Sequence, residues 1–145
     1  FNVRMSVITD AIKVARKYYN KNTYYHAMRV VAFVVNDNSI PKEKLEKCVA
    51  LAIMHDLQED TKFDYFNDPD IQSYDSYIKK CLELLTRDKE KVSYDDYLIN
   101  IKSNFNSYPE AYWVKMADMK DHLSETETLT DELKEKYLNA LQCLL

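Results

Sequence analysis

Not one glycine occurs in the 145 residues of this chain. That single absence removes most of what an α/β or β-rich fold needs. A phosphate-cradling loop of the P-loop or GxGxxG kind requires backbone with no Cβ beside the phosphate, so nucleotide binding through such a loop is excluded. Tight hairpins of the Asn-Gly type are equally disfavoured. Helices joined by polar segments are the natural alternative. The length suits one domain able to bury roughly two-thirds of its unfolded surface. An apolar share of 46% with 30% charged residues is that of an ordinary globular chain.

Apolar spacing of three and four residues predicts an amphipathic helix from Met5 to Tyr19 and a second from Tyr24 to Val35, with Thr23 as its N-cap. A third helix, Pro41 to Glu59, contains the uninterrupted run Val49 to Met54 and should be buried on most sides. Residues 61–69 read as a loop, and further helices are expected over Asp70–Arg87, Tyr94–Phe105 with Ser93 as cap, and Pro109–Leu123. A last one begins at Thr130 or Asp131 and runs to the end. The expected architecture is all-α: a single domain over residues 1–145 with six to seven helices.

Several function classes drop out early. The net charge of −4 provides no basic field for general nucleic-acid binding. No apolar run approaches the ~20 residues that span a bilayer, and residues 1–10 lack the features of a secretory signal, so a cytoplasmic protein with no membrane association is expected. Cys48, Cys81 and Cys143 are odd in number and widely spaced, as expected of buried free thiols rather than a disulfide framework or zinc ribbon. The twelve tyrosines offer stacking for a base or a homodimer contact, though most are more simply residues at the edge of the core.

The residues that carry chemistry are ionisable groups set against apolar helix faces: His26 in YYHAMRV, His55 and Asp56 in LAIMHDLQED, and Asp118 in VKMADMKDHL. Two imidazoles and two carboxylates form a mixed donor set suited to Mn²⁺, Fe²⁺, Zn²⁺ or Mg²⁺, and three helices of a bundle could bring them around one ion. His55 and Glu59 are four apart, as are Asp56 and Asp60, which aims two adjacent stripes at one end of a pocket. Glu59 is thereby placed to orient or deprotonate an attacking water. Lys115, Asp118, Asp121 and His122 share a face of the sixth helix, so Asp121 or His122 could support the ligands or touch substrate. Each feature has a plainer explanation. A lone histidine on an apolar helix is more often a satisfied core residue, a His-Asp dipeptide is a common accident, and Lys115 with its neighbours could be a solvated face. Three correlated placements of ionisable groups beside core segments are harder to dismiss.

In order and spacing, HAMRVV, LAIMHDLQEDT and VKMADMKDHL resemble the H…HD…D signature of the HD hydrolase superfamily. The likeness is greatest to its RelA/SpoT-like branch, which removes the 3′-pyrophosphate of guanosine tetra- and pentaphosphate. His55-Asp56 is followed by Glu59-Asp60-Thr61 as in that branch, and LLTRDKEKVSYDDYLINI resembles its threonine-containing helix end and tyrosine-rich helix. The likeness spans about residues 10–125. It implies an all-helical fold, His26, His55, Asp56 and Asp118 as ligands of Mn²⁺, and Glu59 with Asp60 as the pair that activates and positions water. It further implies a nucleotide substrate whose guanosine lies near the sixth helix. The chain departs from the branch in ARKYYNKNTYYHAM, which is short and glycine-free, has Ala27 where proline is usual, and leaves Arg16, Lys17 and Lys21 to supply positive charge. His122 stands where an asparagine commonly contacts the nucleotide sugar. The alternatives are hydrolysis of another nucleotide or phosphoester, or an inactive module that senses a nucleotide or metal.

Overall fold

The run Cys48 to Met54 is the middle of the molecule. In the computed structural model, which describes residues 3–72 and 74–145 and the side chains of 7–72 and 74–145, Cys48, Ala50, Leu51, Ala52, Ile53 and Met54 are all buried. They lie on α3 (Leu45–Met54), which packs against α1 (Val3–Tyr18), α2 (Lys21–Val35), α5 (Ser76–Leu85) and α7 (Pro109–Ser124). A four-residue helix, α4 (Leu57–Asp60), follows α3; α6 (Tyr94–Ser103) and α8 (Asp131–Leu144) pack on each other and on α7. Short 3-10 turns occupy Lys42–Lys44 and Pro69–Ile71. The described residues are thus all-helical, with seven helices of ten residues or more and no strand.

Local chemistry explains where these helices begin. Side-chain oxygens of Asn20, Asp75, Ser93 and Thr130 accept the backbone N–H three residues on, at 3.0–3.2 Å, satisfying amides that have no partner within the first helical turn. Ser93 is the expected cap, and Thr130 caps a last helix whose first residue is Asp131, one of its two expected starts. Thr23 is not a cap: the second helix starts earlier, at Lys21, because Asn20 captures the Thr23 amide and the Thr23 hydroxyl donates back to the Asn20 carbonyl. The helix expected from Asp70 starts only at Ser76, since Asp68 caps a separate turn through the Asp70 amide and Asp75 caps α5; position 73, inside the expected span, lies outside the described residues. That helix also stops at Leu85, short of Arg87, with Thr86 in an extended conformation and its hydroxyl donating to the Leu82 carbonyl. Arg87 is thereby released into the loop.

The expected third helix is broken. Residues 42–44 form a 3-10 turn, and the α-helix ends at Met54, before the His55-Asp56 pair. In an unbroken helix the Asp56 amide would donate to the Ala52 carbonyl. Here His55 Nδ1 takes that carbonyl at 2.6 Å, and the Asp56 amide donates instead to the Tyr19 hydroxyl at 3.2 Å. One exchange of partners ends the helix and fixes the His55 ring.

Cys48 and Cys81 are buried free thiols, whereas Cys143 is only half-buried. No helix among the described residues is long and apolar enough to cross a membrane. Leu51 is completely buried at the centre of α3, and Leu51→Ala should destabilise the fold by about 2–5 kcal/mol, read from the urea midpoint, because the surrounding helices cannot collapse into the space.

Candidate metal centre

Helices α2, α3 and α7 all pack on one another, and His26 on α2, His55 at the C-cap of α3 and Asp118 on α7 meet at a common point. With Asp56, from the break after α3, they offer four ligand atoms that all lie within 4.8 Å of one another. His26 Nε2 is 2.8 Å from Asp118 Oδ1 and 3.5 Å from Asp56 Oδ2. His55 Nε2 is 3.1 Å from the same Asp118 oxygen and 3.2 Å from the same Asp56 oxygen. Donors in adjacent positions on one cation, each at about 2.1 Å, stand roughly 3.0–3.4 Å apart; the two His55 separations fall within that span and the two His26 separations, 2.8 and 3.5 Å, just outside it.

The other ring nitrogens decide what the Nε2 atoms can do. His55 Nδ1 faces the Ala52 carbonyl, which can only accept, so Nδ1 carries the proton. His26 Nδ1 faces Asp121 Oδ2 at 2.5 Å, while Asp121 Oδ1 accepts from Arg29 Nε at 2.8 Å and Arg29 Nη2 reaches Glu125 at 2.8 Å. A carboxylate held by an arginine is an acceptor, so His26 also donates through Nδ1. Both imidazoles therefore turn Nε2 toward the carboxylates, and two lone pairs there would repel those oxygens unless a proton or a cation intervenes. Metal-ligating histidines are oriented in this way, by a carboxylate or a carbonyl on the far nitrogen. Asp118 is held similarly: Oδ1 faces the imidazoles while Oδ2 accepts from buried Lys115 at 3.0 Å.

Electrostatics follow the geometry. Burial opposes charge on His55 and His26, but Asp56 and Asp118 outweigh it and hold both above the ordinary histidine value. Burial would raise Asp118, yet Lys115 and His55 keep it well below the usual carboxylate range. Lys115 is itself buried, and Tyr97 and Asp118 keep it charged. In protein stripped of divalent cations by a chelator, the two protonated imidazoles stabilise the fold below about pH 6.5, the unfolded-histidine value, and that contribution is lost as pH rises through their raised folded values. Asp118 acts in the opposite sense, losing its contribution as pH falls below about 3.8, far from that window. The urea midpoint of chelated protein should therefore fall between pH 6 and 9, and saturating Mn²⁺ should restore it most at the alkaline end; a midpoint indifferent to both pH and metal would contradict this.

Two pockets flank the cluster and share Asp56, Asp60, His122 and Tyr137 in their walls. The first adds His26, Asn22, Thr23, Arg29 and Asp121. The second adds Glu59 and Asp118 and gathers four cationic side chains, Arg87, Lys89, Lys115 and Lys136, beside Tyr94 and Tyr97. Glu59 and Asp60 thus stay beside the cluster despite the helix break. Burial raises both above their usual values; for Asp60, Asp56 adds to the effect.

The remaining expected residues are placed as follows. Lys115, Asp121 and His122 lie at the centre, Asp121 as the partner of His26 and His122 against Asp118 and Tyr137. Arg16 and Lys21 line a separate shallow concavity with Tyr19, Tyr24 and Tyr25. Lys17 turns to Asp68 and Asp70, at 3.6 and 3.9 Å. The positive charge beside the cluster comes instead from Arg87, Lys89 and Lys136, none of which the sequence singles out. The LLTRDKEKVSYDDYLINI stretch contains the first two, but Lys136 on α8 carries no local signal.

Compared with models of known protein families and with curated proteins, the chain matches none.

Proposed function

We propose that this chain is a divalent-metal-dependent phosphohydrolase of the HD type acting on a nucleotide, with the 3′-pyrophosphate of guanosine tetra- or pentaphosphate as the first bond to test. The observation that carries the reading is the convergence of His26, His55, Asp56 and Asp118 beside a pocket holding Arg87, Lys89, Lys115 and Lys136. The four donors would hold the cation, Mn²⁺ being the first candidate. When bound, the ion supplies Lewis acidity, drawing charge from a phosphoryl oxygen and lowering the pKa of water.

The chain's own residues supply the rest. Glu59, half-buried and raised in pKa, takes the proton from the water whose oxygen bonds to phosphorus as the bond to the leaving oxygen breaks. Asp60, at the junction of the two pockets, orients that water. The four cations offset the charge of the phosphoryl groups. Tyr94 and Tyr137 offer aromatic faces to a base or sugar.

One observation favours a second reading of the substrate. Arg16, Lys17 and Lys21 lie outside both pockets beside the cluster, so the segment before His26 does not deliver positive charge there. That supports another nucleotide or phosphoester, or a sensing module without turnover, over a guanosine polyphosphate. Purified protein with Mn²⁺ should be offered guanosine tetraphosphate, nucleoside mono- and triphosphates and simple phosphoesters, with orthophosphate and pyrophosphate assayed separately. Release that requires metal supports hydrolysis, and the product identifies the bond. Tight binding without product would favour sensing, and neither binding nor release from any compound would overturn the proposal.

A further inference from the structure

A third imidazole points at the same carboxylate oxygen as the other two. His122 Nε2 is 3.3 Å from Asp118 Oδ1, the atom that His26 and His55 approach to 2.8 and 3.1 Å. Three ring nitrogens on one oxygen are more than its lone pairs are suited to accept as hydrogen bonds, and 3.3 Å lies within the span expected between donors that share a cation. The ring is also held in place. It stacks nearly parallel on Tyr137, with centroids 4.4 Å apart and planes 9° apart, and its other neighbour is the His26 ring at 4.7 Å. Its side chain keeps about a third of its surface open and lines both pockets, so it stands on the solvent side of the cluster.

We infer that His122 is a further donor to the bound cation, making the centre a three-imidazole, two-carboxylate site. This rests on the metal-binding reading of the four residues above. His122 lies outside the set whose atoms are all mutually within 4.8 Å. The ring therefore has to shift to reach the ion, against the contacts that hold it, stacking on Tyr137, the His26 ring and Asp118. The consequence is ion selectivity. Each added imidazole favours Co²⁺, Zn²⁺ and Fe²⁺ over Mg²⁺, which takes oxygen donors and gains little from nitrogen. A centre with three imidazoles therefore discriminates against Mg²⁺ more strongly than one with two.

His122→Gln tests this, since its amide can still donate to Asp118 one turn away while offering no imidazole. Co²⁺ and Mg²⁺ affinities are measured by titration, and X-ray absorption of the Co²⁺ form counts coordinated imidazoles. The wild-type chain should show three imidazoles and His122→Gln two, with Co²⁺ affinity reduced roughly tenfold or more and Mg²⁺ affinity nearly unchanged. Two imidazoles in both proteins with equal Co²⁺ affinity would overturn the inference and reduce His122 to a hydrogen-bond partner of Asp118. A His55→Ala control separates the failures. If it loses Co²⁺ while His122→Gln does not, the four-residue centre stands and only His122 falls. If the wild-type chain takes up no cation, both fall.

Discussion

Asp118→Asn should abolish cation binding, and with it the proposed hydrolysis, and also weaken the fold. Asp118 is 2% exposed, its Oδ1 faces three imidazole nitrogens, and its Oδ2 holds Lys115. Asparagine keeps the shape but removes the charge that every one of those groups faces. Divalent-cation affinity should fall by more than about 100-fold, beyond the usual cost of disturbing a residue that merely orients a ligand. The ammonium of Lys115 is left without its carboxylate, a change that typically costs about 3–5 kcal/mol for a buried pair. Adding Lys115→Met removes that orphaned charge, so the double variant should regain most of the stability while still taking up no cation. If it regained cation binding as well, Asp118 would be a structural partner of Lys115 rather than a ligand.

Glu59→Gln should behave in the opposite way. Glu59 is outside the four-donor set and lines the basic pocket with Asp56, Asp60 and Lys115. The substitution preserves size and leaves α4 and its contacts in place, so stability and cation affinity should stay near wild type. The rate of the proposed hydrolysis should drop by about 10²–10⁴, the scale for losing a positioned acid or base. Steady-state turnover measured with saturating metal reads this directly. A variant that still turns over at the wild-type rate would remove Glu59 from the chemistry.

Much of the helical layout is written in the sequence because apolar spacing and the missing glycines are local signals. The burial of Leu51 to Met54 and the caps at Ser93 and Thr130 follow from residues within a turn of each other. The convergence of His26, His55, Asp56 and Asp118 was legible only as a correlated set, since any one of them has an ordinary explanation. What escaped depends on partners far along the chain. The break after Met54 needs Tyr19, just after α1, to accept the Asp56 amide, and no feature of residues 41–59 announces that acceptor. Asp121 was expected to support the ligands, but which ligand it holds, His26 across 95 positions, was not legible. The basic wall joins Arg87, freed by the early end of α5, to Lys136 on α8, and charge at such spacing reads as solvated surface until the helices are packed. The expected Arg16, Lys17 and Lys21 are placed elsewhere: Arg16 and Lys21 line a separate concavity and Lys17 pairs with Asp68, partners that charge spacing along the chain does not announce.

The most direct measurement is a titration of chelator-stripped protein with Mn²⁺, followed by the electron paramagnetic resonance signal of the free ion, for wild type and His55→Ala. One Mn²⁺ bound per wild-type chain, with binding lost in His55→Ala, is the predicted result. A wild-type chain that leaves all the Mn²⁺ free, or a His55→Ala chain that binds it equally well, would contradict the claim that these side chains hold a cation.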